Sequence, residues 1–239
     1  MRKIKFDFNN DISFDLKLDE GIFEPTGTTK LLIDAVVNNS KDVHGKKILD
    51  LGSGSGVVSI SLCKQGFIDS VMFASDLNDN SLRCISMNAK EHNCNITVKE
   101  GSLFEPWKEE MFDIIIDDIS GVSTEVSKIS NWFDGVPCDS GIGGDELTNK
   151  VLSQSVKHLK SNGIIFFPVI SFSNVESIIS TANKYFSNVE CVSRSEWILP
   201  ESMQDSLKEL EKLREDGHIR YDYKFGTVIW YTEIYKAYN

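Results

Sequence analysis

The sequence predicts a doubly wound α/β protein, with a parallel sheet covered by helices on both faces and a β-hairpin in front of it. Three observations carry this. Short apolar runs alternate with segments of helical periodicity between residues 47 and 184, and repeated strand–helix units of this kind specify a parallel sheet. The stretch Ile48-Leu49-Asp50-Leu51-Gly52-Ser53-Gly54-Ser55-Gly56-Val57 reads as a buried strand running into a glycine loop and then a helix, as in nucleotide-type cofactor sites. Residues 1–24 alternate apolar and polar positions on either side of Asn9-Asn10-Asp11, a hairpin pattern.

In chain order, the hairpin pairs Ile4, Phe6 and Phe8 with Ile12, Phe14, Leu16 and Leu18. A helix follows through about Val37, with Leu31, Leu32, Ala35 and Val36 as its apolar face and Thr28 or Thr29 as its cap. A strand at 47–51 and a helix at about 54–64, closed by Gly66, come next. Then come a strand at 71–75 ending at Asp76, a helix at 80–92, a strand at 96–99 and an apolar run at 112–116 ending in Asp117-Asp118. Helices at 145–159 and 174–184 flank the buried strand 164–170. The segments 189–197 and 227–235 look like a closing antiparallel pair around a charged helical insert at about 200–225, which reads as a solvated helix. No linker separates two cores, so the expected division is a hairpin extension, 1–24, and a single domain, 25–239.

Composition narrows the function classes. The formal charge of -11 would repel a polyanion, so nucleic acid is a poor expected substrate. Five cysteines without a Cys-x-x-Cys pair and four scattered histidines indicate neither a disulfide framework nor a metal site. The charged amino terminus lacks a signal-peptide core and no apolar run suffices for a bilayer. A cytoplasmic protein without a membrane partner is expected, its oligomeric state left open.

Spacing in the glycine loop discriminates between cofactors. A dinucleotide fingerprint wants a third glycine where Val57 stands. Asp50 beside the loop suits a cationic ligand better than a pyrophosphate. The order Asp-x-Gly-x-Gly-x-Gly resembles motif I of the class I S-adenosylmethionine (SAM)-dependent methyltransferases. Asp76, one strand–helix unit later, stands where a carboxylate takes both ribose hydroxyls of a nucleoside; the alternative is a helix cap.

The resemblance extends over most of the chain, toward the branch with the glutamine N5-methyltransferases of release factors and the rRNA guanine-N2 enzymes. Phe23-Glu24-Pro25-Thr26-Gly27-Thr28-Thr29 resembles its pre-motif segment and Ala74-Ser75-Asp76 its motif II. Gly101-Ser102-Leu103-Phe104 resembles Gly-Asp-Leu-Phe of motif III, and Leu159-Lys160-Ser161-Asn162-Gly163 the segment before the fifth strand. The resemblance implies a Rossmann-like seven-stranded sheet with the last strand antiparallel, and SAM as cofactor. It implies a cofactor site drawn from Thr28, Asp50, Gly52, Ser53, Gly54, Gly56, Asp76, Leu77, Ser102 and Leu103.

This chain departs from the branch in two places. Ser102 replaces the acidic or amide residue of motif III, and after Asp117 the tetrapeptide Asp118-Ile119-Ser120-Gly121 stands where the branch has Asn-Pro-Pro-Tyr. A carboxylate accepts a hydrogen bond as asparagine does, but it also neutralises an ammonium or takes a proton. Asp118 and Asp117 are therefore the candidate catalytic residues, with capping or solvation as the alternative for each. Ser120 and, from the long connection 120–145, Trp132 and Phe133 are candidates for the substrate wall in place of the lost tyrosine, or else anchors of that loop.

The expected function is SAM-dependent methyl transfer to a nitrogen or oxygen of a small molecule or peptide side chain, the substrate being neutral or cationic. The alternatives are a glutamine- or rRNA-type N-methyltransferase, a SAM-binding assembly or regulatory module without chemistry, and a nicotinamide-dependent oxidoreductase.

Overall fold

The computed structural model describes residues 1–9, 11–40, 42–119, 121–130, 132, 136, 138 and 140–239. Strands β1 (Arg2–Asp7) and β2 (Ser13–Leu18) pair antiparallel, with Phe6 opposite Phe14. Asn9 fastens the turn, its Oδ1 accepting from the N–H groups of Asp11 and Ile12. The hairpin's apolar face, through Phe6, Phe14 and Leu16, joins one core cluster with helices α1 (Gly27–Asn39) and α2 (Val57–Lys64).

The main sheet is built from β3 (Lys47–Leu51), β4 (Val71–Asp76), β5 (Ile96–Glu100), β6 (Phe112–Asp117), β7 (Leu159–Ile170), β8 (Asn188–Ile198) and β10 (Thr227–Tyr238). Their order is β5-β4-β3-β6-β7-β10-β8, and the short β9 (Asp222–Lys224) pairs with β10. The neighbours from β5 through β7 are parallel, whereas β10 is antiparallel to β7, β8 and β9. The sheet is thus the mostly parallel one expected, with the last strand reversed and with β9 as an unforeseen eighth strand. Strand order turns back between β3 and β6, and ligands in open α/β sheets bind at that switch point.

Helices α3 (Asp79–Glu91), α4 (Thr124–Ile129), α5 (Glu146–Ser155), α6 (Val175–Tyr185) and α7 (Leu207–Glu215) complete the chain. The strands separate two cores by alternation: Ile48, Ile114 and Ile116 pack on the hairpin side, whereas Leu49, Leu51, Ile115 and Phe167 pack with α5 and α6. Among the described residues no helix is long and apolar enough to cross a membrane.

Several boundaries depart from expectation for local reasons. Helix α1 starts at Gly27 behind Thr26, whose side chain makes no capping bond, so Thr28 and Thr29 lie inside the helix and are free for other partners. Residues 52–56 form a loop because Gly52, Gly54 and Gly56 all take positive φ, which delays α2 to Val57. Helix α5 stops at Ser155, and β7 begins at Leu159. The insert at 200–225 is not merely solvated: Met203, Leu210, Leu213, Ile219 and Tyr221 form a third apolar cluster with Phe172, Leu199 and Val228.

Candidate active site

A cavity of about 830 Å³ opens over the carboxyl ends of β3, β4 and β6, large for a small-molecule site. Its floor at one end is the glycine loop. The N–H groups of Gly52 and Ser53 donate to the carbonyl of Ser75 at 3.0 and 3.1 Å, and Gly54 N–H donates to Asp76 Oδ2 at 2.9 Å. At Gly52 a side chain is excluded, since a Cβ there would lie 2.5 Å from Ile119 Cγ1. At Gly54 the space is open: a Cβ would meet nothing within 4 Å. Gly56 does not reach the cavity. Its missing Cβ lets α2 approach α3, with Ile85 Cα 3.3 Å away.

Four carboxylates stand at or beside the ends of three strands, and the pleat gives each a different surrounding. Asp50 points to the hairpin side and is fully buried. Its Oδ2 accepts from Ser53 Oγ, Ser59 Oγ and Ser59 N–H at 2.7, 2.7 and 3.1 Å, while its Oδ1 has no partner among the described residues. Asp50 therefore lies behind the loop and does not line the cavity. Asp76 does line it, with Oδ1 accepting from Asn78 N–H at 2.9 Å. Capping of α3 falls instead to Asn78, whose side chain accepts from Asn80 N–H.

At the end of β6 the adjacent pair divides. Asp117 faces the α5–α6 side, 1% exposed, and accepts from Ile119 N–H at 3.1 Å. Burial pushes its pKa up to about 7. Asp118 faces α1 and lines the cavity, with Thr29 Oγ1 3.4 Å from its Oδ2. Burial, and then the charges of Asp50 and Asp117, hold its carboxyl well above the usual carboxylate range. Thr28 lies beside it on α1, its Oγ1 3.1 Å from Thr232 Oγ1.

Leu77, 71% exposed, lines the cavity with Ser102 and Leu103, the last at a φ of 47°. The far wall is aromatic: Trp132, Trp197 and Trp230 all line the cavity. Trp197 and Trp230 stand opposite each other in the β8–β10 ladder, with ring centroids 5.9 Å apart, and Trp132 is 5.1 Å from Trp230. Ser120 and Phe133 lie outside the described residues.

The structure thus gathers Thr28, Gly52, Ser53, Gly54, Asp76, Leu77, Ser102, Leu103, Asp118 and Trp132 around one cavity, and leaves Asp50, Gly56 and Asp117 behind its surface. Sequence reasoning missed Thr29, Trp197 and Trp230. The two tryptophans sit in the segments foreseen as an antiparallel pair, but only the register puts them face to face. Among the described lining residues Asp76 and Asp118 are the charged ones, and none is Lys, Arg or His. No metal-binding group of His, Cys, Asp and Glu occurs among the described residues.

A parallel sheet with this strand order, a glycine loop at the switch point and an acidic cofactor-sized cavity define a Rossmann-like fold of the nucleoside-cofactor-binding kind. The methyltransferase small domain family matches residues 16–118. A Methanocaldococcus jannaschii protein, named provisionally as a protein N5-glutamine methyltransferase, is 30% identical over 151 residues, 63% of this chain and 73% of that one. The release factor glutamine methyltransferase of Thermodesulfovibrio yellowstonii is 26% identical, and the match covers 64% of this chain and 58% of its relative. Among solved structures, the ribosomal protein L11 methylase of Lactobacillus delbrueckii subsp. bulgaricus superposes with a TM-score of 0.57 at 16% identity, over 94% of this chain and 86% of that one. The precorrin-6y C5,15-methyltransferase of Geobacter metallireducens does so with the same TM-score at 12% identity, over 94% and 95%.

The chain belongs to the class I SAM-dependent methyltransferases, in the branch that includes the glutamine N5-methyltransferases. SAM is accordingly the methyl donor, and the nicotinamide reading is set aside.

Proposed function

We propose that this protein transfers the methyl group of SAM to a nitrogen or oxygen of a small molecule or of a peptide side chain. The observation that carries this is one cavity joining the glycine loop and Asp76 at one end to Asp118 and an aromatic wall at the other. The residues present fit the donor. Open space beside Gly54, a carboxylate at the ribose position and an acidic lining suit a cationic nucleoside, and the described lining residues offer no basic group to an anionic one.

In this reading Gly52, Ser53 and Gly54 hold the amino-acid part of the donor, Asp76 the ribose, and Leu77, Ser102 and Leu103 the adenine. Asp50 and Gly56 act as positioning residues, the first by tying Ser53 to Ser59 and the second by seating α2. SAM when bound supplies an electrophilic methyl group, its C–S bond breaking as the bond to the acceptor atom forms. The protein's part is alignment and exclusion of water. Asp118 accepts the hydrogen bond of the acceptor's N–H or O–H, and its raised proton affinity suits it to take that proton. Thr29 orients the carboxylate.

The relatives' names favour a second reading, methylation of a glutamine side-chain amide. Against a nucleic-acid substrate stands the described lining, which holds none of the basic side chains that phosphates favour.

Calorimetry with SAM and with its demethylated product, S-adenosylhomocysteine, tests the proposal. Both should bind. SAM, which carries the sulfonium charge, should displace more protons, because a cation lowers the pKa of a carboxyl that burial has raised, as at Asp118. Folded protein that binds neither would refute the assignment.

A further inference from the structure

We propose that the acceptor end of the cavity is an aromatic box for an aliphatic ammonium group, with the mutually packed rings of Trp132, Trp197 and Trp230 as its wall and Asp118 as counter-charge. The proposal rests on the methyl-transfer reading and names its substrate class.

The placement of the tryptophans is the first argument. Three of the chain's four tryptophans line this one cavity, and each is only half-buried although the rings pack on one another. Two are fixed by the sheet. The β8–β10 register sets Trp197 opposite Trp230, and Trp197 is held further by its Nε1 donating to Thr232 Oγ1 at 3.1 Å. Its ring also lies where a Cβ on Gly27 would approach within 2.5 Å, so the absence of a side chain at Gly27 makes the room. Phe172 backs the wall, stacked on Trp230 with centroids 5.2 Å apart.

Charge is the second argument. Gly27 to Thr29 is the short segment that meets both halves of the box, touching Trp197 through Gly27 and Asp118 through Thr29. An indole face attracts a cation through its quadrupole, more strongly than Tyr or Phe and most where water is excluded. A neutral carboxamide can donate an N–H to the Asp118 carboxylate but brings no charge to the indole rings, and a negatively charged acceptor would be repelled by both. The indole N–H of Trp230, buried without a partner among the described residues, cannot accept from an ammonium, so recognition falls to the ring faces. A protonated aliphatic amine matches all of these groups at once.

The test uses intact protein and two probes of one shape: choline, and its neutral isostere in which a tert-butyl group replaces the trimethylammonium. Quenching of tryptophan fluorescence is followed with and without S-adenosylhomocysteine. Choline should bind at least tenfold more tightly, Trp230→Phe should keep that preference and Trp230→Leu should lose most of it. Equal binding of the two probes, or an unchanged preference in a folded Trp230→Leu protein, would overturn the box. If Trp230→Leu does not fold, the intact protein and Trp230→Phe still decide. Transfer of labelled methyl from SAM is then compared for n-butylamine, a lysine peptide and the matching glutamine peptide. Faster labelling of either amine supports the box and tells whether the amine is free or peptide-borne, whereas faster labelling of the glutamine peptide overturns it. Loss of the donor assignment would appear separately, as absent binding of S-adenosylhomocysteine with the choline preference intact.

Discussion

At the scale of single residues, the site divides its carboxylates by the side of the sheet each one faces. Asp76 opens onto the cavity, and its proposed ribose contact gives a sharp expectation: Asp76→Ala should weaken SAM binding roughly tenfold to hundredfold, the cost of about 1.5–3 kcal/mol for a charge-assisted hydrogen bond. Calorimetric titration of the variant checks this. Asp118→Asn keeps an acceptor and removes the proton-taking group. Affinity for SAM should stay nearly constant while turnover falls by about a hundredfold or more, within the range general bases contribute; unchanged turnover would limit Asp118 to orientation. Asp50, Asp76, Asp117 and Asp118 were all legible in the sequence, because a polar residue at the end of an apolar run marks the strand's exit toward the crevice. Which of them face the cavity was not. That follows from the pleat and from what packs on each side, and it puts Asp118 in the cavity against Thr29 but Asp117 behind the surface, accepting from Ile119 N–H.

Among the elements, the loop from β3 to α2 is the most constrained. Gly52 combines a φ of 75° with Ile119 Cγ1 2.5 Å from the missing Cβ. Gly52→Ala should therefore lose about 1–3 kcal/mol of stability through backbone strain alone, and more if Ile119 cannot move. A denaturant titration would measure it, and calorimetry should show weaker SAM binding because Ser53 and Gly54 shift with it. The strand–helix alternation and this loop were readable because their signals are local: periodicity, and glycines at fixed offsets. The aromatic wall was not, since it depends on the pairing of two strands far apart in sequence and on a connection, Ser120 to Asp145, whose path no local rule sets. The same applies to β9 and to the buried face of the insert, where Leu210 and Leu213 lie on a charged helix whose polar residues dominate its appearance.

For the whole molecule, burial of acid groups makes stability depend on pH in a definite direction. Asp117 has a pKa near 3.8 unfolded and about 7 folded, so between those values the folded state holds the proton that the unfolded state has lost. Stability should then fall as pH rises from about 4 to about 7, by at most on the order of 4 kcal/mol from this group. The raised values of Asp50 and Asp118 act in the same sense. Urea denaturation of the ligand-free protein at pH 5.5 and 8 should show the higher midpoint at the lower pH, and Asp117→Asn should flatten the difference, since asparagine can still accept from Ile119 N–H. A higher midpoint at pH 8 in the native chain would contradict the burial argument.

The position of β10 between β7 and β8 also sets an order in time. On the ribosome, β3 to β6 emerge and can pair before the insert is made, while β8, whose one sheet neighbour among the described residues is β10, must wait for it. With elongation at about 5–20 residues per second, β8 spends on the order of seconds as an unpaired strand, a period in which a nascent chain is open to wrong partners. The strands and glycine loop proposed to hold the donor are therefore made before the strands that carry Trp197 and Trp230, the wall proposed for the acceptor.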